Sequence, residues 1–79
     1  MTNENTYKTK DLGEAGALLV LQQILLAVEK DEKVCWFIFN DKKMCESISN
    51  KFYFGELSVN ARDYKEKIDR LKNRIFANY

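Results

Sequence analysis

Hydrophobic and polar positions along this chain of 79 residues form blocks that predict separate short elements. Residues 1–5 are polar and predict a flexible tail, whereas the stretch from Tyr7 to Lys10 alternates as an edge strand does. Asp11 followed three residues later by Glu14 is typical of a helix capping box. Residues at helical spacing follow at Leu12, Ala15, Gly16, Leu19 and Gln23. We therefore expect a tail, an edge strand and a first helix, with Gly16 allowing close approach of a neighbouring element.

Two apolar runs of strand length, residues 24–30 and 33–39, are rich in β-branched and aromatic side chains and are separated by Asp31 and Glu32. This pattern predicts a β-hairpin. The link lacks the Asn-Gly or Asp-Gly pair that a two-residue hairpin turn prefers. We therefore expect a longer loop that takes in Lys30 or Lys33.

The second half of the chain predicts two more helices with an alternating segment between them. Asn40 or Asp41 is expected to cap a helix that runs to about Phe52, and Gly55 is expected to end it in a left-handed conformation. The buried face of this helix is predicted to hold Met44, Cys45, Ile48 and Phe52, with Ser49 elsewhere. Residues 56–60 alternate as a short strand does. Asn60 then caps the third helix, with Asp63 in its first turn.

These elements predict the α+β class with the order βαββαβα. A split βαβ unit of this order is that of the ferredoxin-like fold, here a small antiparallel sheet with two helices on one face and an appended C-terminal amphipathic helix. Residues 6–79 are expected to form a single small domain. The alternative is a three-stranded sheet with helices on one face, in which residues 56–60 are a loop.

Composition narrows the chemistry that is open to the chain. It is 46% hydrophobic and 32% charged, within the globular range, and it has no histidine and two cysteines. Without histidine there is no triad base and no imidazole metal ligand, and two cysteines cannot complete a zinc site. We predict no catalytic, cofactor-binding or metal-binding residue, and no enzyme activity. Cys35 and Cys45 are interpreted as reduced, buried side chains, with a disulfide between them as the alternative.

The net charge of +1 hides an asymmetry. Residues 1–59 hold 7 basic and 9 acidic side chains, whereas residues 60–79 hold 6 basic and 3 acidic ones. In the third helix Tyr64, Ile68, Leu71 and Ile75 form an apolar seam, and basic residues lie along its two sides. One interpretation is an amphipathic helix with solvated lysine and arginine heads. The other is a contact surface for nucleic-acid phosphates or an acidic partner, formed by Lys65, Lys67, Arg70, Lys72 and Arg74.

The strand-like run 34–39 is apolar on both faces, with Val34, Trp36 and Ile38 on one side and Cys35, Phe37 and Phe39 on the other. Two helices cover only one face of a sheet, so the second face must be covered by the third helix, a second subunit or a ligand. We predict an apolar interface formed by Trp36, Phe37 and Phe39 together with Tyr64, Ile68, Leu71 and Ile75. An RNA-stacking platform resembling the RNA-recognition motif is a weaker hypothesis.

Five short motifs resemble those of a family of domains of unknown function from phages, mobile elements, and bacterial and archaeal chromosomes. They are Thr9-Lys-Asp-Leu, Phe37-Ile-Phe-Asn-Asp, Lys51-Phe-Tyr-Phe-Gly, Val59-Asn-Ala-Arg-Asp and Arg70-Leu-Lys-Asn-Arg-Ile-Phe. The resemblance covers about residues 7–76 and brings no catalytic residues. It implies a small accessory protein of a phage or an integrated element that binds a larger macromolecule.

The sequence therefore predicts a small non-enzymatic protein-interaction module, with a protein partner or a second copy of itself as the partner. The alternative function is nucleic-acid binding through the basic sides of the C-terminal helix. No run is long and apolar enough to span a membrane, and the polar N-terminus lacks the features of a signal peptide, so we expect a cytoplasmic location. No small-molecule substrate and no cofactor are predicted.

Overall fold

The computed structural model describes residues 5–77, and within that range the chain forms a three-stranded antiparallel sheet and three helices. The α+β class predicted from the sequence is confirmed. In chain order the elements are β1 (Thr6–Thr9), α1 (Leu12–Val20), β2 (Leu25–Asp31), β3 (Val34–Asn40), α2 (Lys42–Tyr53) and α3 (Ala61–Ala77). None of the helices between residues 5 and 77 is long and apolar enough to cross a bilayer.

The sheet has the strand order β1-β3-β2, with β3 in the centre and antiparallel to both neighbours. Since β1 and β2 are each antiparallel to β3, they run parallel to each other, and α1 connects them as the crossover helix. This is the split βαβ arrangement. The prediction of an edge strand near Tyr7 and the prediction of the hairpin are both confirmed.

The fourth strand predicted at residues 56–60 is wrong, because this segment is a loop between two helix-capping motifs. Gly55 ends α2 with a φ of 70°, and the backbone N–H of Glu56 donates to the carbonyl of Lys51 at 2.8 Å. This pair of features is a Schellman motif, which turns the chain away from the helix axis. At the other end, Oδ1 of Asn60 accepts from the backbone N–H groups of Arg62 and Asp63 and starts α3. The element order is therefore βαββαα, which corresponds to the alternative prediction of a three-stranded sheet with residues 56–60 as a loop.

The loop of the hairpin is shorter than predicted. Asp31 pairs with Val34, so the turn consists of two residues, Glu32 and Lys33. Glu32 adopts a φ of 55°, which is the left-handed conformation that glycine or asparagine usually provides. The expectation of a longer loop was wrong because a glutamate takes the glycine-like position.

The hydrophobic core lies between the sheet and the helices. Its cluster consists of Ala15 and Leu18 from α1, Phe37 and Phe39 from β3, Cys45 and Ile48 from α2, and Leu71 from α3. All three helices thus contribute to the core on the same face of the sheet, and α1 packs against both α2 and α3. Leucine, phenylalanine and isoleucine side chains buried in this way each stabilise the fold by roughly 1.5–3 kcal/mol.

The second helix differs from the sequence-based prediction at two positions. Its cap is Asp41, one of the two residues predicted for this position, and Oδ1 of Asp41 accepts from the backbone N–H of Met44 at 3.3 Å. Met44 lies in the first turn and is exposed, so its assignment to the buried face was wrong. Ser49, predicted on another side of the helix, is buried.

One residue of the predicted flexible tail is held by hydrogen bonds. Asn5, predicted as part of the tail, accepts hydrogen bonds from the backbone N–H groups of Asp41 and Lys42 at 3.0 and 3.2 Å. These bonds attach the start of β1 to the start of α2. Residues 1–4 of the predicted tail, and residues 78 and 79 of the predicted domain, lie outside the described residues.

Candidate functional site

The outer face of the sheet is defined here as the face that carries Val34, Trp36 and Ile38 of β3. Paired residues on neighbouring strands share a face, so the outer face also holds Lys8 of β1 and Ala27, Glu29 and Asp31 of β2. Within residues 5–77 the helices pack on the opposite face, where Phe37 and Phe39 join the core. The third helix therefore does not cover the outer face.

A salt bridge crosses the outer face above the central strand. Nζ of Lys8 on β1 lies 3.6 Å from Oε1 of Glu29 on β2, although these two strands do not pair with each other. Lys8 is level with Ile38, and Glu29 is level with Trp36. The two side chains thus reach over β3. Ile38, the β3 residue level with Lys8, is only 8% exposed on a face that no described helix covers.

Charge on the outer face is divided between its two sides. The β1 side carries Lys8, whereas the β2 side carries Glu29 and Asp31. The apolar residues of β3 lie between them, so the face has an apolar centre and a charged rim. This arrangement is typical of protein–protein interfaces.

The predicted apolar interface is divided by the structure into two groups. Phe37 and Phe39 are 1% and 0% exposed and belong to the core, because α1 and α2 pack on their side of β3. They are not available to a partner in this fold, which corrects their assignment. Trp36 is half-buried on the outer face and remains accessible.

The seam of α3 packs inside the protein, so its assignment to an open interface is also corrected. The hydroxyl of Tyr64 donates to the carbonyl oxygen of Gly13 at 3.0 Å. A Cβ atom placed on Gly16 would lie 2.5 Å from Cδ1 of Ile68, so the glycine is needed for the close packing of α1 and α3. Leu71 is 2% exposed in the core, and Ile75 packs against that core. The predicted close approach at Gly16 is confirmed.

The five basic residues predicted as contacts are distributed over the whole of α3. Lys65 forms a salt bridge of 3.6 Å with Asp69, and Lys67 is half-buried beside the seam. Arg70, Lys72 and Arg74 are exposed. The three acidic residues of α3, Asp63, Glu66 and Asp69, all precede Arg70, so the excess of positive charge lies in the last two turns.

The C-terminal end of α3 extends beyond the end of α1. The contacts of Tyr64 with Gly13 and of Ile68 with Gly16 show that the two helices run in the same direction. At 1.5 Å per residue, α3 continues for about 13 Å after Ile68, whereas α1 ends about 6 Å after Gly16. Phe76, which is 71% exposed, lies in this projecting part together with Arg74, whereas Arg70 and Lys72 are level with the last turn of α1.

Sequence analysis missed a buried polar cluster on the helix side of the sheet. Glu14 is 1% exposed, and its Oε1 accepts a 2.6 Å hydrogen bond from the hydroxyl of Tyr7. A second hydrogen bond, 3.1 Å long, joins the Tyr7 hydroxyl to Oγ of Ser49. The cluster connects β1, α1 and α2, and its bonds account for the burial of polar side chains there.

The predicted capping box at the start of α1 is half correct. Oδ1 of Asp11 accepts from the backbone N–H of Glu14 at 3.2 Å, as expected for the cap. The reciprocal bond is absent from the described residues, because the carboxylate of Glu14 binds Tyr7 instead. The backbone N–H of Asp11 donates to Oγ1 of Thr9 at 3.1 Å. The capping-box spacing of Asp11 and Glu14 therefore did not reveal that the Glu14 carboxylate binds Tyr7.

The cluster changes the ionisation of the side chains around it. Burial, followed by the hydrogen bond to Glu14, raises the pKa of Tyr7 to about 12. The neighbouring carboxylate of Glu14 is the main cause that raises the pKa of Tyr53 to about 12, with burial second. Burial raises the pKa of Cys45 to about 11. These side chains are all held in their neutral forms at pH 7, which suits a structural network.

The two cysteines are not joined in a disulfide, in agreement with the reduced state predicted for them. Cys45 is completely buried, whereas Cys35 is half-buried, so the prediction of burial is confirmed for Cys45 alone. Sγ of Cys45 donates to the carbonyl oxygen of Asn40 at 3.3 Å. Its contacts are those of a packed, weakly polar core residue.

Comparisons with known protein families, with curated proteins and with solved structures find no significant match to this chain. The resemblance to phage and mobile-element domains stays a prediction.

Proposed function

We propose that this chain is a small non-enzymatic protein-interaction module that binds its partner through the outer face of the sheet. The observation that carries the proposal is the position of Trp36. It lies between Val34 and Ile38 on a face that no helix of residues 5–77 covers. Tryptophan is among the residues that contribute most to binding at protein interfaces.

The small area of this face suits a weak contact. Three strands about 4.8 Å apart, with seven residues of about 3.3 Å each in β3, make a face of roughly 300 Å². Stable interfaces bury about 800 Å² on each partner, so the outer face alone supports binding at the weak end of the range. A partner that also reached Ile24 or Leu26, which are exposed near one end of β2, would bind more tightly.

The chemistry of the described side chains supports a role without catalysis. Cys45 is held in its thiol form by burial, and the chain has no histidine that would activate it. Glu14 is enclosed with Tyr7 inside the fold rather than in a cleft. These properties fit a small accessory protein of a phage or mobile element. Such a protein would act by binding a host or viral protein in the cytoplasm.

The proposal is tested by photo-crosslinking from the outer face. Benzoylphenylalanine is placed at Val34 in one variant and at Glu66, an exposed position of α3, in a control variant. Both are expressed in the cells that naturally contain the protein and are irradiated. We expect protein adducts from position 34 that disappear when Trp36→Lys is added. The absence of adducts at position 34, or identical adducts from position 66, would overturn the proposal.

A second candidate function, nucleic-acid binding, is supported by the last two turns of α3. Arg70, Lys72 and Arg74 lie in these turns with the exposed Phe76, and no acidic residue follows Asp69 in that helix. Cations can neutralise phosphates while an aromatic ring stacks on an unpaired base. The outer face of the sheet is a poorer candidate for this function, because Glu29 and Asp31 lie beside its aromatic residue.

Nucleic-acid binding is tested by the salt dependence of binding to a labelled single-stranded oligonucleotide. Three neutralised phosphates predict a slope of about −2 in a plot of log affinity against log salt. Arg70→Glu with Arg74→Glu should abolish binding, whereas Lys42→Glu with Lys43→Glu in α2 is the matched control. Equal loss in both double variants, or no binding to either a single- or a double-stranded probe, would reject this candidate.

A further inference from the structure

The charges on the outer face of the sheet point to a second copy of the same chain as its partner. This inference rests on the proposed function, because it names the occupant of the proposed binding surface. Lys8 lies on the β1 side of β3, and Glu29 and Asp31 lie on the β2 side. The face therefore carries both signs of charge, separated by a strip of apolar residues.

Two limiting orientations relate a pair of copies that meet through this face. If the twofold axis runs across the strands, β1 lies opposite β1, and Lys8 faces Lys8 of the second copy. If the axis runs parallel to β3, β1 lies opposite β2, and Lys8 faces the acidic side of the second copy. Opposite charges attract and like charges repel across an interface, so the charges select the second orientation.

In such a dimer, Lys8 of one copy must reach Glu29 of the other copy over a distance similar to the one that these two side chains already span within one copy. Lys8 is level with Ile38 and Glu29 with Trp36, so they are two residues, or about 7 Å, apart along the strand. Within one copy these side chains already meet at 3.6 Å across the width of β3. Facing sheets pack about 10 Å apart, a separation that a lysine and a glutamate extending from opposite sides can bridge.

We propose that the chain forms a face-to-face homodimer whose twofold axis is parallel to β3, and that the Lys8–Glu29 salt bridge changes from intramolecular to intermolecular on association. The opening of the intramolecular bridge uncovers Ile38. Trp36 and Ile38 then pack against the same residues of the second copy, because β3 lies on the axis. Two symmetric Lys8–Glu29 pairs form the rim of the interface.

Because Lys8 and Glu29 lie on different strands, the charge on each side of the outer face can be reversed separately. Lys8→Glu leaves two acidic side chains at positions 8 and 29, and Glu29→Lys leaves two basic ones. Each variant alone should repel its own copy, and we expect its dimerisation to be at least about tenfold weaker than that of the wild type. When the two variants are mixed, every cross-interface pair is again attractive. The mixture should then form a heterodimer that neither variant forms alone.

The measurement is sedimentation equilibrium over a range of concentrations up to about 1 mM, since a face of this size predicts weak association. Native mass spectrometry of mixtures in which one variant is isotopically labelled identifies the heterodimer. Lys43→Glu in α2 is the control for a change of net charge and should dimerise as the wild type does. Far-UV circular dichroism checks that each variant is folded.

Several results would overturn the homodimer. Dimerisation of Lys8→Glu and of Glu29→Lys, each alone, as strong as that of the wild type would support the axis across the strands instead, because like charges then face each other in all three proteins. A wild-type chain that remains monomeric at 1 mM would exclude self-association through this face. If crosslinking from position 34 still gave adducts with another protein, the proposed function would stand and only the homodimer would fail.

Discussion

The hydroxyl of Tyr7 donates a 2.6 Å hydrogen bond to Oε1 of Glu14, and this bond joins the edge strand β1 to the first turn of α1. Ser49 of α2 bonds to the same hydroxyl at 3.1 Å. One phenol group therefore connects a strand and two helices. Since Glu14 is almost completely buried, its carboxylate depends on this contact for part of its stabilisation.

Tyr7→Phe should destabilise the protein by about 1–3 kcal/mol, because it removes a donor from a buried carboxylate and leaves that group less well satisfied. Tyr64→Phe is a matched control, since the Tyr64 hydroxyl donates to the neutral carbonyl of Gly13. We expect about 0.5–1.5 kcal/mol for this second variant. Urea unfolding followed by tryptophan fluorescence measures both. An equal or smaller loss for Tyr7→Phe would contradict the role of the cluster.

The same bond should make the stability of the protein depend on pH between about 10 and 12. The pKa of Tyr7 is about 12 in the folded chain, against 10.0 for an unperturbed tyrosine. Below pH 10 the hydroxyl is protonated in both states, and its contribution is fully present. As the pH rises through 12 the unfolded chain has already lost the proton, so that contribution disappears. The deficit of Tyr7→Phe relative to the wild type should therefore shrink across this range, as measured by urea unfolding at pH 9 and pH 11.5. A constant deficit would be inconsistent with the raised pKa.

Local sequence signals predicted the helix starts but not the buried cluster. Asp11 and Asn60 cap their helices as expected, because capping depends on residues within one turn. The Glu14 side chain, in contrast, bonds to Tyr7, seven residues away in sequence, and the same Tyr7 hydroxyl bonds to Ser49, 35 residues from Glu14. A capping-box spacing carries no information about such distant partners. The buried cluster could therefore be identified only from the tertiary structure.

The thiol of Cys45 should react far more slowly than an ordinary cysteine. Burial, with Asp41 and Glu14 nearby, raises its pKa from 9.0 to about 11. At pH 8 this change lowers the thiolate fraction by about 100-fold, and the thiolate is the reactive form. In a Cys35→Ser variant, labelling of Cys45 by iodoacetamide should proceed only on unfolding. Labelling at the rate of the same variant in 6 M urea would contradict this prediction.

The three strands of the sheet were predictable from the sequence, whereas the loop at residues 56–60 was predicted as a fourth strand. Residues 56–60 alternate as a strand does, but both ends of this segment belong to helix termini. Gly55 ends α2, and Asn60 caps α3. Apolar residues on both faces of β3 correctly indicated that one group of them would lie on a face that the described helices do not cover. Their division between core and outer face followed from which side the helices pack on, and this division placed Phe37 inside and Trp36 outside.

The hairpin turn contains a residue whose replacement should stabilise the protein. Glu32 has a φ of 55°, a conformation that costs a non-glycine residue about 1–2 kcal/mol. Glu32→Gly should therefore raise the free energy of unfolding by about 0.5–1 kcal/mol, after the greater flexibility of glycine in the unfolded chain is subtracted. Lys33→Gly is the matched control, because Lys33 does not have a positive φ, and this variant should be destabilised. Thermal unfolding of the two variants distinguishes them, and stabilisation by both or by neither would contradict the assignment.

The contact between Gly16 and Ile68 should limit substitution on α1. A Cβ at position 16 would lie 2.5 Å from Cδ1 and 3.0 Å from Cγ1 of Ile68, so Gly16→Ala forces the isoleucine to move. Overpacking of this kind costs about 1–3 kcal/mol, partly offset by the roughly 1 kcal/mol that alanine gains over glycine in a helix. Ile68→Val removes the Cδ1 methyl group and costs about 0.5–1.5 kcal/mol alone. The double variant should be more stable than the sum of the two single losses predicts, because each change relieves the effect of the other. A double-mutant cycle from urea unfolding measures this coupling, and strict additivity would show that α1 and α3 do not meet at this point.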